Sequence, residues 1–188
     1  MSSYLSQPYQ PGQPSPLPNV DIIRANVKEL QTNYNQNKAI VDSTLAKYEM
    51  LRGLSDSDNE YISARVREAE SAIKTYGKKN GNLAMSSTRD TMLSALENVY
   101  NDPIVQNAIQ NKAVYDNFNA EVSKRKEKND GSYNDVNYQY SLYKGGVQEY
   151  MQGKTKKLGN LNYVPYTDLT EEHLKKIKTI KKRKNIIT

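Results

Sequence analysis

The chain of 188 residues contains no cysteine and no tryptophan, and it has one histidine and one phenylalanine. Without cysteine it can hold no disulfide framework, thiol nucleophile or Cys-ligated metal, and a single histidine excludes a multi-histidine metal centre. No run approaches about 18 apolar residues, and the N-terminus lacks the positive and apolar regions of a signal peptide. We therefore expect no cofactor, no membrane span and synthesis without export.

Large apolar side chains are also few, since Leu, Ile, Val and Phe make up 37 of the 188 residues. A share this low lies at the border of what can fill a compact core, so the core is expected to be thin. The chain is instead rich in asparagine, with 20 copies, and in tyrosine, with 15. Both suit surfaces that partners complete, because amides hydrogen-bond without the desolvation cost of a charge and tyrosine joins an apolar ring to a polar end. The codon bias of an AT-rich genome is the alternative explanation.

The net charge of +6 is concentrated at one end of the chain. Residues 1–153 carry 17 basic and 18 acidic side chains, whereas residues 154–188 carry 10 basic and three acidic ones. A cationic end on a neutral body can neutralise phosphates without reading a base sequence. The alternatives are a merely solubilising end and a membrane-surface helix, although the latter is short of aromatic anchors. The residues predicted to contact nucleic acid or an acidic surface are Lys175, Lys176, Lys178, Lys181, Lys182, Arg183 and Lys184.

The first 18 residues have no charge and hold five of the seven prolines. Such a segment favours an extended, polyproline-like arm. Pro8, Pro11 and Pro14 have the PxxP spacing of SH3 ligands, but no basic residue flanks them. We interpret the arm as a segment that lies on a neighbouring subunit, with these three prolines as partner-binding residues.

A heptad pattern from residue 20 to residue 51 is the strongest periodic signal in the sequence. Two apolar-rich positions recur every seven residues, which predicts a long helix with a seam along one side. Asn37 and Thr44 also fall on the seam, where they either fix the register or mark a groove that another helix covers only in part. We expect the seam to bind a partner helix through Val20, Ile23, Val27, Leu30, Tyr34, Val41 and Tyr48.

Turn and capping residues predict where the next helices begin and end. Gly53 is expected to follow the first helix as its C′ residue. Ser55, Asp56 and Ser57 are candidate N-caps for a second helix that ends at Gly77. Ser86 or Ser87 is expected to cap a third helix after a polar connection.

Two further signals mark the second half of the chain. Asp102 followed by Pro103 is a specific pair for a helix start, and the fourth helix is expected to turn Ile104 inward. A fifth helix is expected to run from Val136 to Gly153. The glycine pair at 145–146 within it predicts a kink or a close helix approach.

Together these signals predict an all-α chain: an elongated helical bundle with a long N-terminal helical hairpin, an extended Pro-rich arm and a basic C-terminal helix capped by Thr170. The expected units are the arm at 1–18, the hairpin at 19–77, a three-helix region at 86–153, and a loop with a basic helical tail at 154–188. A short extended piece near 161–166 is the most that a strand pattern offers.

Catalytic signals are weak. His173 is interpreted as a solvated side chain at the start of the lysine-rich helix. The acid pairs Asp56 with Asp58 and Glu68 with Glu70 fit helix starts and solvated helix faces. The sequence contains no phosphate-binding glycine loop, zinc-protease helix or nucleophile-elbow motif. We therefore expect no enzyme.

Three stretches resemble large virion-associated proteins of tailed bacteriophages, including the cargo and tail-interior proteins of crAss-like podoviruses. They are the Pro-rich arm leading into a long helix over residues 1–52, the segment NDPIVQNAI at 101–109, and the loop YVPYTD at 163–168 before the lysine-rich helix. In that group such regions are the ordered N-terminal part of a longer polypeptide, docked inside the portal or tail barrel. The resemblance implies no catalytic residue.

The sequence and this resemblance lead to one functional expectation and one alternative. The expectation is a non-enzymatic structural protein of the virion, packed in several copies among portal, ring or tail-barrel subunits or as capsid cargo, and ejected with the genome. The alternative is a nucleic-acid-binding accessory protein that uses the lysine-rich tail, with contact to DNA that ignores sequence.

Overall fold

A computed structural model of the chain describes residues 20–80, 82–128, 135–162 and 170–184. No strand occurs among these residues, so the all-α class is confirmed. The predicted arm, with Pro8, Pro11 and Pro14, lies outside the described residues. The helices are α1 (Val20–Glu49), α2 (Asp56–Asn80), α3 (Ser86–Tyr100), α4 (Pro103–Lys128), α5 (Asp135–Lys144), α6 (Val147–Met151) and α7 (Glu171–Lys184).

One hydrophobic core joins α2, α3 and the start of α4, with the C-terminal half of α1 packed against it. Spacings of four and three residues place Ile62, Val66 and Ala69 on the same face of α2. Leu96 of α3 is fully buried opposite that face. The members of this core are Ile62, Val66, Ala69, Leu96, Val99, Val105 and Ala108.

The helix directions follow from contacts at their ends. Asn37 of α1 hydrogen-bonds the chain just before α3, through Nδ2 to the Leu83 carbonyl at 2.7 Å. Near the end of α1, the pKa of Tyr48 is raised by burial and then by the negative charge of Glu97, so Glu97 in the last turn of α3 lies close to Tyr48. The start of α3 therefore lies beside Asn37 and its end beside Tyr48, so α3 runs parallel to α1.

The start of α2 is a capping box, in which Ser55, one of the three predicted N-cap candidates, pairs with Asp58. The amide N–H of Asp58 donates to Ser55 Oγ at 3.1 Å, and the N–H of Ser55 donates back to Asp58 Oδ2 at 2.9 Å. Gly53 has another role than the predicted C′ residue, because α1 ends at Glu49. A Cβ added to Gly53 would lie 2.2 Å from the Cβ of Asp58, so the glycine lets the turn approach α2 closely.

Asp102 caps α4 as predicted and also ties α4 to α2. Its Oδ1 accepts the N–H of Ile104 at 2.8 Å, and its Oδ2 accepts the Tyr61 hydroxyl at 2.9 Å and Arg65 Nε at 3.1 Å. Burial acts to raise the pKa of Asp102, but these hydrogen bonds, the Val105 N–H and the Arg65 charge outweigh it and hold the pKa below its usual value.

A second core joins the C-terminal part of α4 to α5, α6 and the segment that follows them. The glycine pair, where the sequence predicts a kink or a close helix approach, interrupts the helix: Gly146 has φ +71°, and a Cβ on Gly145 would overlap Leu161 Cδ2. The predicted fifth helix is therefore two helices, α5 and α6. The members of this core are Phe118, Val122, Tyr150, Leu158 and Leu161.

Two local predictions are wrong. Ser86 and Ser87 do not cap α3, because Met85 occupies the N-cap position with an extended backbone and no side-chain cap bond. The fourth helix buries Val105 fully, whereas Ile104 is 55% exposed. The N-cap lies one residue before the nearer predicted serine, and the buried position lies one residue after Ile104. One residue along a helix corresponds to a rotation of about 100°. The predicted end of the second helix at Gly77 also differs from the structure, since α2 continues to Asn80.

Candidate interaction surface

The N-terminal part of α1 is exposed on every face. Residues 22–32 are all exposed, which is three turns of helix without a covering neighbour. Isolated helices of this length are marginal in water, because most helices in proteins are stabilised by packing one face against other elements. We call residues 22–32 the exposed segment.

The exposed segment carries the N-terminal part of the heptad seam. Ile23, Val27 and Leu30 are 47%, 61% and 52% exposed. These three predicted partner-binding residues lie on one stripe of the helix, as their spacing requires. Ile22, 59% exposed and about 100° around the helix from Ile23, widens the apolar face. The sequence prediction missed Ile22, although an apolar residue next to a heptad position is the signal that identifies it.

The same seam is covered further along α1. Asn37 and Val41 are buried, and Tyr34 and Tyr48 are half-buried. At the boundary, Asn37 donates to the Leu83 carbonyl and its Oδ1 accepts Arg89 Nη1 at 3.2 Å. We call residues 37–48 the covered segment. Val41 is covered within this chain, and Tyr48 packs against the core that α2, α3 and the start of α4 form.

The flanks of the exposed seam are almost uncharged. In heptad terms the flanking positions between residues 20 and 34 hold Arg24, Asn26, Gln31 and Asn33. Arg24 lies near Asp21, with an N–O distance of 4.0 Å between two highly exposed side chains. Such a surface presents an apolar stripe between amides, which suits a helical partner of either charge sign.

The basic helix α7 docks on α5 by its apolar side. Ile177 is 4% exposed, and the His173 ring lies 4.5 Å from the ring of Tyr140, centroid to centroid. His173 completes a capping box: its N–H donates to Thr170 Oγ1, and its Nδ1 accepts the Thr170 N–H, both at 3.4 Å. The prediction that Thr170 caps this helix is confirmed. The interpretation of His173 as a solvated side chain is wrong, because His173 is half-buried.

Two of the predicted tail contacts are paired within α7 itself. Lys176 Nζ lies 2.8 Å from Glu172, and Lys175 Nζ lies 3.9 Å from Glu171. The pair with Glu172 raises the pKa of Lys176 and lowers that of Glu172. Lys178 is exposed. The side chains of the other predicted contacts lie outside the described part of the chain: Lys181, Lys182, Arg183 and Lys184.

A cavity of about 360 Å³ opens between the start of α2, the start of α4 and α6. Its one carboxylate is that of Asp58, whose Oδ2 accepts the N–H of Leu54 at 3.1 Å, the N–H of Ser55 at 2.9 Å and the Tyr150 hydroxyl at 2.9 Å. Burial raises the pKa of Tyr150; the Asn111 amide counteracts this and Asp58 adds to it. These groups hold the turn before α2 in place, which matches the interpretation of Asp58 as a helix-start residue.

Other chemistry is sparse among the described residues. Residues 20–80, 82–128, 135–162 and 170–184 contain no group of three or more His, Asp or Glu side chains placed to hold a metal ion. None of the helices in those ranges is both long and apolar enough to cross a membrane. Comparisons of the chain with protein-family models, with curated proteins and with solved structures gave no match.

Proposed function

We propose that this chain is a non-enzymatic structural protein that is built into a larger assembly through the exposed segment of α1. One observation carries the proposal: residues 22–32 form a helix that is exposed on all faces and carries Ile22, Ile23, Val27 and Leu30 on its surface. Apolar side chains grouped on a solvent-exposed helix are typical of a face that another protein covers.

The shape that fits this role is an elongated helical bundle with a long hairpin of α1 and α2 at its N-terminal end. In that arrangement α1 extends beyond the helices that pack on it, and the Pro-rich arm of residues 1–18 continues from its tip. The arm and the exposed segment would then contact neighbouring subunits side by side.

The assembly that we propose is the particle of a tailed bacteriophage, with the chain inside the portal, tail barrel or capsid. Support comes from the resemblance of residues 1–52, 101–109 and 163–168 to virion-associated proteins of crAss-like phages. The low apolar content and high amide content agree with a protein completed by its neighbours.

The test is incorporation into particles. Leu30→Lys places a charge on the proposed contact face and is expected to lower the copies per particle about tenfold, counted by mass spectrometry of gradient-purified virions. Thr32→Lys adds the same charge on the opposite side of α1 and should leave the count unchanged. Absence of the wild-type chain from purified particles would rule out the virion role, and equal incorporation of both variants would rule out the face.

Contact with DNA through α7 is the second proposed role. Ile177 is buried whereas Lys178 is exposed, so this lysine of α7 is available for contact with a phosphate. Replacing Lys178, Lys181, Lys182 and Lys184 by Gln in the full chain should weaken DNA binding and flatten its dependence on salt concentration. Equal affinity of this variant and the wild type would exclude the role.

A further inference from the structure

We propose that the exposed segment of α1 pairs in antiparallel orientation with the same segment of a second copy of this chain. The inference rests on the proposed function and names its partner. Ile23, Val27 and Leu30 would then be buried between two α1 helices rather than against an unrelated subunit.

The side chains of the segment fit their own copy. Valine and isoleucine or leucine alternate on the seam, which is the composition that helices use to pack knobs into holes. Self-pairing fails where like charges meet, but the positions beside the seam hold Asn26, Gln31 and Asn33, with Arg24 as the one charge. A second copy therefore brings apolar groups and amides to a face of the same kind.

Orientation follows from what covers the seam beyond the exposed segment. From Asn37 onward, the chain before α3 and α3 itself lie on the seam side of α1. In a parallel pair both copies would bring these elements to the same place between the two α1 helices. Packed helix axes lie about 8 to 10 Å apart, which leaves no room for two intervening helices. An antiparallel pair puts the two bundles at opposite ends.

Charge then selects the register. If Val27 packs opposite the second copy's Leu30, and Ile23 opposite its Tyr34, Arg24 lies beside an uncharged Gln31. A shift by one heptad would bring Arg24 beside the Arg24 of the other copy, which costs stability. The favoured register overlaps about 14 residues, or about 21 Å of helix. An interface this short falls below the roughly 1,200 Å² of standard complexes, so the association should be reversible and dependent on concentration.

The first test is the mass of the purified full chain by sedimentation equilibrium, over about 1 to 500 µM, the range that reports micromolar affinity. We expect a shift from monomer to dimer. Leu30→Lys should raise the dissociation constant about tenfold or more, and Thr32→Lys should change it less than about twofold. Circular dichroism checks that both variants keep the helix content of the wild type.

The orientation can be tested by disulfide trapping, because the chain has no cysteine of its own. In the antiparallel register Val27→Cys and Leu30→Cys face each other, so an oxidised mixture of the two variants should give a covalent dimer that neither forms alone. Efficient cross-linking of each variant with itself indicates a parallel pair and overturns the proposal.

Failure of this inference differs from failure of the proposed function. A wild-type chain that stays monomeric throughout, or a Leu30→Lys variant that dimerises like the wild type, overturns the second copy as the partner. If Leu30→Lys is nevertheless lost from particles while Thr32→Lys is kept, the assembly role stands and the face binds a different protein.

Discussion

The two segments of α1 share one heptad pattern and differ in what covers it. The covered segment, residues 37–48, packs on α2 and α3, and Val41 is 5% exposed. In the exposed segment the matching position, Val27, is 61% exposed. A heptad pattern thus indicates that a helix face needs covering, but it does not indicate whether the cover comes from the same chain.

The two segments also differ in what keeps them helical. The covered segment is held by burial of its seam, which is the usual source of helix stability in proteins. The exposed segment depends on local propensity and on continuity with the rest of α1, and only the proposed partner would cover Val27 and Leu30. Its stability should therefore respond to association and that of the covered segment should not.

The largest expected effect is a difference between matched charges on the two segments. Val41→Asp buries a carboxylate without a partner and should lower the free energy of unfolding by about 3 kcal/mol or more. Val27→Asp places the same group in solvent and should change it by less than about 0.5 kcal/mol. Urea unfolding of both variants at low micromolar protein concentration measures the two changes in the free energy of unfolding. Equal losses would mean that the exposed segment is covered within the monomer.

A smaller effect is expected at the boundary between the segments. Asn37→Ala removes the bonds of its amide to the Leu83 carbonyl and to Arg89 Nη1 and should cost about 1 to 2 kcal/mol of unfolding free energy. Asn26→Ala removes an exposed amide from the same helix and serves as the control. A loss at Asn37 no larger than at Asn26 would show that the amide does not fasten α3 to α1.

Acid should weaken the bundle around the covered segment through Asp102. The folded-state pKa of Asp102 is below its ordinary value of 3.8, so its contribution to stability is present above that value and is lost as the pH falls through the folded pKa. Asp102→Asn keeps an N-cap acceptor but removes the charge, and it should flatten the fall in stability below about pH 4. Unfolding curves of both proteins from neutral to acid pH measure this. Identical slopes would remove Asp102 as the cause.

The sequence predicted well what short-range patterns control. Spacings of three and four residues place Ile62, Val66 and Ala69 on one face of α2, and that face is buried, because a helix repeats at 3.6 residues whatever it packs against. Asp102 with Pro103 located the start of α4 for a local reason too, since the cap is made within one turn. Helix propensity predicted a kink or a close approach at the glycine pair, and the structure divides the helix there.

What the sequence did not predict depends on contacts between distant residues. The amide and tyrosine content suggested surfaces that await partners, yet Asn111 accepts the Leu158 N–H at 3.3 Å and Tyr61 donates to Asp102. These bonds join residues 47 and 41 positions apart, which no local pattern contains. For the same reason the heptad could not show that the cover of α1 begins at Asn37, since that boundary is set by Leu83 and Arg89.

The smallest expected effect concerns local stability in the exposed segment. Asn26→Ala exchanges a poor helix former for the best one and should stabilise the local helix by about 0.5 kcal/mol, which slows amide exchange of residues 22–32 about twofold. The measurement is hydrogen exchange by mass spectrometry below the concentration at which copies associate, with residues 37–48 as the internal control. Because the exposed segment can unwind without opening the core, the global unfolding free energy should not change. A rise in global stability would mean that the two segments of α1 unfold as one unit and that their difference lies in exposure alone.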